Sequence, residues 1–277
     1  MPSCYLDSVA KRKKYPVATP PSATKETKTK TLLLALGAVL VAAAVVVAII
    51  VVMSSSGTSK INQNYPRVGS LSAPNALLAA PDVQHLLQGI PQSGVTLGNA
   101  KAPVTLRAFE DPQCPACQVF DTQVLPGLIN TYVRSGKLRV DYYGVTFVGG
   151  VSGSSNDSER GLKAALAAGL QGKFWNYIEL LYFSQGTENT GWLNDNMVIS
   201  AASSIPGLNV PRLLSDRSSA RVSAEVAKYE ALRAKHHVTQ TPTLMVGLSG
   251  GKLQTLKITS PADLVSVKQA IASLLKS

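Results

Sequence analysis

The chain has 277 residues, of which 45% are hydrophobic and 16% are charged, and its formal net charge is +11. The apolar share excludes a fully disordered protein, and three cysteines are too few for a scaffold built from disulfides. The positive charge does not indicate a nucleic-acid partner. The first 53 residues supply +5 of it, and the remaining basic residues are scattered rather than gathered in a stripe interleaved with aromatic side chains.

An apolar run without a charged or polar side chain occupies residues 32–53. As a helix, its 22 residues would span roughly 33 Å, which is enough to cross the hydrocarbon core of a bilayer. Seven Lys or Arg residues precede it in the tail 1–31, so the positive-inside rule places that tail in the cytoplasm and the later chain outside. A cleaved signal peptide is the alternative, but its apolar region is shorter and less chain precedes it. We therefore expect a single-pass protein of the cell membrane with an uncleaved anchor.

The chain beyond the anchor divides into a linker and a domain. Residues 54–75 are rich in Ser, Gly, Asn and Pro, which is typical of a flexible linker. Residues 76–277 are enough to bury a hydrophobic core. The predicted elements of this domain are, in chain order, a strand at 103–109, a helix after Cys114, a strand at 137–143, a mostly helical stretch at about 159–236, two short strands at 243–247 and 252–258, and a last helix with Pro261 near its start. This order predicts an α/β domain with a helical insertion at about 150–236.

Cys114 and Cys117 stand three residues apart, directly after a strand and at the start of a helix. The free N–H groups and dipole of a helix N-terminus stabilise an anion, which lowers the pKa of the Cys114 thiol and makes it the attacking sulfur. Cys117, one turn further into the helix, is placed to resolve a mixed disulfide. Pro115 fits the first helical turn, where its missing N–H costs nothing. The pattern predicts a redox-active pair.

Two structural interpretations of this cysteine pair are less favourable. A zinc site normally has four ligands, and here only His236 and His237 are candidates to complete one. A purely structural disulfide closing so short a loop would be strained. We therefore predict no metal, and no cofactor other than the Cys114–Cys117 disulfide. Cys4, in the cytoplasmic tail, cannot reach this pair across a bilayer and is expected to be a free thiol.

The segment Thr241-Pro242-Thr243 directly precedes a predicted strand. Since X-Pro is the peptide bond at which the cis form is accessible, Pro242 is a candidate cis-proline. If it packs beside the cysteines, the backbone of Thr241 is free to pair with an extended substrate segment. The alternative is a proline that merely starts the strand.

These motifs resemble a known family. Cys-Pro-Ala-Cys after a strand, Thr-Pro-Thr before a later strand and a helical block between them look like the DsbA-like branch of the thioredoxin superfamily, especially its membrane-anchored members from Gram-positive and actinobacterial envelopes. The likeness covers roughly residues 90–277 and is carried by segments 98–105, 111–117, 132–140 and 164–185. It implies a thioredoxin fold with an inserted helical domain, a nucleophilic Cys114, a resolving Cys117 and a cis Pro242. The expected substrate contacts are Thr241, Pro115 and Ala116.

The resemblance also implies an activity and partners. Such an enzyme would introduce disulfide bonds into exported proteins that carry free thiols, and an integral-membrane partner would reoxidise it. Two alternatives stay open at this point. The same cysteines could work in the reducing direction, as a reductase or disulfide isomerase, or the domain could be a non-catalytic, membrane-anchored binder of unfolded exported chains.

One position departs from the family pattern. Many relatives have a buried acid six residues before the first cysteine, which is associated with proton transfer to the resolving thiol, and this chain has Ala108 there. Glu110 and Asp111 are nearby, but at the end of a strand both can face solvent. The sequence therefore suggests that Cys117 exchanges its proton through water.

Overall fold

A computed structural model describes residues 64–148 and 157–276. The predicted tail 1–31 with its Cys4, the predicted anchor 32–53 and the first part of the predicted linker lie outside the described residues. Within the described ranges, no helix is both long enough and apolar enough to span a membrane.

The described chain contains a six-stranded mixed sheet in the order β1-β2-β4-β3-β5-β6. Its strands are β1 (Gln92–Ser93), β2 (Thr96–Leu97), β3 (Val104–Glu110), β4 (Leu138–Gly144), β5 (Thr243–Leu248) and β6 (Gln254–Thr255). The central strand β3 pairs in parallel with β4 and antiparallel with β5, and the other pairs are antiparallel. Every residue of β3 except Arg107 is buried, so both faces of the sheet are covered at this strand. The predicted α/β class is confirmed.

Eight helical stretches surround this sheet in the described part of the chain. They are α1 (Ala80–Leu87), α2 (115–133), α3 (Asp157–Gly169), α4 (Phe174–Phe183), α5 (Asp195–Ser203), α6 (Val210–Asp216), α7 (Ala220–Lys235) and α8 (Leu264–Leu274). Helix α2 alternates between α-helical and π-helical turns, and Pro126, which has no N–H to donate, follows the first π-helical turn. Helices α3 to α7 form the predicted insertion. In α4, nine of ten residues are buried, because this apolar helix packs within the domain instead of lying on its surface.

The two faces of β3 contribute to different parts of the core. Side chains alternate along a strand, so Leu106, Ala108 and Glu110 share one face. Leu106 and Ala108 belong to the large hydrophobic core that also contains Cys117 and the side chains of α4. On the opposite face, Phe109 belongs to a smaller cluster. The end of β3, the start of α2 and the middle of α4 are thereby brought together.

Part of the predicted linker is packed against the helical insertion. Backbone hydrogen bonds join Gly69 N–H to Leu208 O (2.8 Å), Ser70 N–H to Ser203 O (2.8 Å) and Val210 N–H to the carbonyl of Arg67 (3.0 Å). The expectation of a flexible linker through residue 75 is therefore wrong for this stretch. The polar composition of this stretch does not reveal that its backbone groups form hydrogen bonds with the end of α5, the start of α6 and the segment between them.

Some short elements differ from the bounds predicted from the sequence. Of the predicted strand 252–258 only Gln254–Thr255 is paired in the sheet. Helix α8 begins beyond Pro261, after Asp263, whose side chain accepts a hydrogen bond from the Ser266 N–H. The hairpin β1–β2 was not predicted, because two-residue strands show no periodicity to detect. Helix α1 was not predicted either.

Candidate redox site

The cysteine motif lies where β3 gives way to α2. Cys114 has an extended backbone (φ −70°, ψ 120°) just before the first helical residue, and Pro115 occupies the first turn as predicted. The carbonyl of Cys114 already accepts a hydrogen bond from the N–H of Gln118 (3.1 Å). The sulfur of Cys114 therefore sits at the helix N-terminus, where backbone N–H groups are free to face it.

The two thiols, both free in this structure, have contrasting environments. Cys114 is half-buried, whereas Cys117 is fully buried. The pKa of Cys114 is lowered to about 6, mainly by a hydrogen bond from the Cys117 thiol. Burial opposes this shift, and hydrogen bonds from the backbone N–H groups of Ala116 and Cys117 add to it. Burial, followed by the hydrogen bond with Cys114 and the charge of Glu110, raises the pKa of Cys117. The lowered pKa predicted for Cys114 agrees in direction, although the partner thiol contributes more than the helix.

The Thr241–Pro242 peptide bond is cis, which confirms that prediction. The segment packs beside the cysteines, with the Cys114 Sγ 3.5 Å from the carbonyl oxygen of Thr241, to which the thiol can donate. Once Cys114 is deprotonated, its sulfur has no proton to donate to this carbonyl oxygen. The Thr241 group that lowers the pKa of Cys114 is instead the side chain, through its hydrogen bond with the sulfur. Pro242 is buried, while Thr241 and Ala116 are half-buried and Pro115 is exposed. The predicted substrate contacts thus border the reactive sulfur, and their roles remain predictions.

The helical insertion supports the cysteine loop from one side. The Gln185 Nε2 donates to the carbonyl of Pro112 (2.9 Å) and, more weakly, to that of Cys114 (3.4 Å). From α2, the Gln118 Nε2 donates to the carbonyl of Tyr182 at the end of α4 (3.1 Å). Neither glutamine was predicted from the sequence, because nothing in the local pattern distinguishes them from surface residues.

Asp111 is fully buried, so the expectation that it can face solvent is wrong. Its Oδ1 accepts hydrogen bonds from the Gln113 N–H (2.8 Å) and the Ser158 hydroxyl (2.6 Å), and its Oδ2 accepts one from the Val148 N–H (2.8 Å). Burial raises the pKa of Asp111, and these hydrogen bonds oppose the shift. This carboxyl group links the cysteine loop to α3 and to the segment that follows β4.

Glu110 is also buried, with 1% of its surface exposed, and this corrects the second expectation of a solvent-facing acid. Burial and the neighbouring carboxyl groups of Asp121 and Glu179 raise its pKa. Its position, two residues after Ala108 on β3, places it on the same face of the strand. An acid therefore lies near Cys117 even though Ala108 occupies the family's usual acidic position.

Asp121 and Glu179 were missed by sequence analysis, although the sequence carries a signal for each. Asp121 follows Cys117 by four residues and so falls on the buried face of α2. Glu179 is the single charged residue in the apolar stretch Phe174–Phe183. A charged residue at a position that the hydrophobic pattern assigns to the core is the informative exception.

Comparison with known proteins settles the family. A family model described as thioredoxin matches residues 91–255. The chain belongs to the thioredoxin family. The probable disulfide bond formation protein D of Bacillus cereus is 29% identical to this chain over 184 residues, which are 65% of this chain and 78% of the relative. The disulfide bond formation protein D of Bacillus subtilis is 27% identical over 155 residues, covering 54% of this chain and 66% of the relative.

Solved structures of two other bacterial proteins share the fold of this chain. Oxidised BdbD from Bacillus subtilis superposes with a TM-score of 0.57 at 24% identity, covering 68% of this chain and 98% of that one. DsbA from Chlamydia trachomatis gives a TM-score of 0.55 at 20% identity, with 66% and 91% covered. The resemblance recognised in the sequence is confirmed: this is a DsbA-like protein disulfide oxidoreductase.

Proposed function

We propose that this oxidoreductase donates its Cys114–Cys117 disulfide to exported proteins that carry free thiols. The observation that carries the proposal is the contrast between the thiols, one accessible with a pKa lowered to about 6 and the other buried with a raised pKa. A stabilised Cys114 thiolate favours the reduced form of the pair, and an enzyme whose reduced form is favoured is an oxidant.

The reaction proceeds through two exchanges. A substrate thiolate attacks the Cys114 sulfur, the bond between Cys114 and Cys117 breaks, and its electron pair leaves on Cys117, which takes up a proton. A second substrate thiolate then attacks the substrate sulfur of the mixed disulfide and expels Cys114 as a thiolate. The substrate has lost two electrons and gained a disulfide, and the enzyme holds both electrons as a dithiol.

The setting of this chemistry is part of the proposal. The apolar run 32–53 anchors the chain in the cell membrane, with the redox domain outside, where exported chains emerge. An integral-membrane partner accepts the two electrons and restores the disulfide. No metal or organic cofactor takes part. The surface formed by Cys114, Pro115, Ala116 and Thr241 receives an extended stretch of substrate, and the cis Pro242 holds Thr241 in place beside the sulfur.

The reduction potential of the full-length chain in glutathione buffers tests the direction of the reaction. The reference values are about −120 mV for DsbA and about −270 mV for thioredoxin. We expect a value near the first, and a value near the second would mean a reductase. The double variant Cys114→Ser, Cys117→Ser should lose all oxidation of a reduced substrate protein, and retention of function by that variant would indicate a binding module instead.

A further inference from the structure

The cysteine loop, residues 111–114, has few backbone donors of its own. Pro112 within it and Pro115 just after it have no N–H group to donate. One backbone hydrogen bond closes the loop, from the N–H of Cys114 to the carbonyl of Asp111 (3.0 Å). The shape of this loop therefore depends on donors that other elements supply.

Those donors come from the segment 184–193, between α4 and α5, which we call the clamp loop. Its Gln185 Nε2 donates to the carbonyl of Pro112 at 2.9 Å and to that of Cys114 at 3.4 Å. Pro112 is buried, and no other N–H or hydroxyl group among the described residues donates to its carbonyl oxygen. A buried carbonyl without a donor is costly, so Gln185 makes a hydrogen bond that the cysteine loop cannot replace by itself.

The clamp loop has a defined backbone shape. Asn189 has a φ of 59°, in the left-handed region that few residues other than glycine adopt. Its N–H donates to Oε1 of Gln113 (2.9 Å), a fully buried residue of the cysteine loop whose Nε2 donates to the Ser158 hydroxyl (3.1 Å). At Gly186, a Cβ atom would lie 2.8 Å from the side chain of Trp192, so the clamp loop closes tightly on this indole. It thus contacts the cysteine loop at several points.

A second glutamine joins the same two parts of the fold in the opposite direction. Gln118 lies on α2, and its Nε2 donates to the carbonyl of Tyr182 at the end of α4 (3.1 Å). Gln185 follows the end of α4 by two residues. The helix that carries the cysteines therefore bonds to the end of α4, while the segment after α4 bonds to the loop before that helix. A shift of α4 would be transmitted to the cysteine loop.

The position of the cysteine loop determines which groups face the Cys114 sulfur. The carbonyl of Cys114 accepts the first hydrogen bond of α2, from the Gln118 N–H (3.1 Å), and the same carbonyl contacts Gln185. The Cys117 thiol and the N–H groups of Ala116 and Cys117 lower the pKa of Cys114 while its sulfur faces the helix N-terminus. A backbone free to turn at Cys114 would lose part of that stabilisation.

We propose that Gln185 is a positioning residue of the redox reaction, through which the inserted helical domain holds the Cys114 sulfur against the helix N-terminus. The inference rests on the proposed function and deepens it, because it names a residue outside the cysteine motif that sets how readily Cys114 leaves a mixed disulfide. Gln185 acts through the backbone carbonyls of Pro112 and Cys114. A better stabilised thiolate leaves faster and favours the reduced form of the pair.

The test replaces Gln185 in the full-length chain, with Cys4→Ser in every variant so that alkylation reports on Cys114. Gln185→Met keeps the length of the side chain and removes its donor. Gln185→Glu keeps the size of the side chain and, once ionised, has no proton to donate to the carbonyls. Gln171→Met is the matched control, because Gln171 is another half-buried glutamine of the inserted domain, and its Nε2 donates to the carbonyl of Asn209 (3.1 Å) instead of to the cysteine loop.

Three quantities are measured on each variant: the pH midpoint of the alkylation rate, the equilibrium constant with glutathione and the melting temperature. We expect Gln185→Met to raise the pKa of Cys114 by about 0.5–1 unit. The equilibrium constant should shift about threefold to tenfold towards the disulfide form, which corresponds to about 15–30 mV. Gln185→Glu should shift both quantities at least as far, whereas Gln171→Met leaves both at the wild-type values.

The inference is overturned if Gln185→Met lowers only the melting temperature, while its pH midpoint and equilibrium constant equal those of Gln171→Met. Gln185 would then contribute to stability alone. A wild-type pH midpoint in Gln185→Glu would overturn it equally, even if Gln185→Met failed to fold. These outcomes are differences between variants, so they hold whatever the potential of the wild-type chain, which by itself decides the direction of the proposed reaction.

Discussion

The acidity of Cys114 depends mainly on the neighbouring thiol, so replacing Cys117 should make Cys114 a weaker acid. The wild-type pKa is about 6, against an ordinary value of 9.0. A hydrogen bond to a charged group contributes about 1.5–3 kcal/mol, which at about 1.36 kcal/mol per pKa unit corresponds to about 1–2 units. Because Cys114 is half-exposed, solvent screening reduces the effect to the lower end of that range. We expect Cys117→Ala to raise the pKa of Cys114 by about one unit.

The measurement is the rate of alkylation of the reduced, full-length chain as a function of pH. All variants carry Cys4→Ser, so that Cys114 is the accessible thiol, while Cys117 is fully buried. Only the thiolate reacts, so the rate rises with pH through the pKa, and the midpoint of that rise should move upward in Cys117→Ala. Cys117→Ser is the matched control, because its hydroxyl can still donate to the thiolate and should keep the midpoint closer to that of the wild type. An unchanged midpoint in the alanine variant, or an equal rise in both variants, would refute the role of the hydrogen bond.

Two further predictions concern the N-terminal half of the chain. A Cβ atom at Gly69 would clash with the carbonyl oxygen of Ile205 and lie 2.6 Å from that of Ala202, so Gly69→Ala should lower the free energy of unfolding by about 1–3 kcal/mol. Val68→Ala, at the exposed neighbouring residue, is the control and should change the free energy of unfolding by less than about 0.5 kcal/mol. Urea unfolding measures both variants, and equal effects would mean that this stretch is not packed in solution. The predicted anchor is tested by a membrane-impermeant maleimide, applied to intact cells after the Cys114–Cys117 disulfide has been reduced by a reductant that does not cross the membrane. It should label Cys114 but reach Cys4 only after permeabilisation. Labelling of Cys4 on intact cells would reverse the proposed orientation.

Much of the redox site could be predicted from the sequence because its determinants are local. The strand before Cys114, the proline after it and the apolar spacing of α2 are enough to place the cysteines at a helix N-terminus. The cis bond at Pro242 was likewise a candidate, because proline is the residue at which cis bonds occur. The packing of Pro242 beside Cys114 could not be derived from the sequence pattern alone, since the two residues are more than a hundred positions apart and only the pairing of β3 with β5 brings them together.

The surroundings of Cys117 depended on the tertiary structure. Alternation along β3 determines that Glu110 shares a face with Ala108, but it does not determine what covers that face. Helices α2 and α4 cover it, which turns an acid expected at a strand end into a buried group and brings Asp121 and Glu179 to it from distant parts of the chain. The sequence by itself determined which cysteine stands at the helix N-terminus, because the start of a helix is a local feature. Only the packing of the inserted helices against the sheet decided which groups surround the other sulfur, because burial is a property of the whole fold.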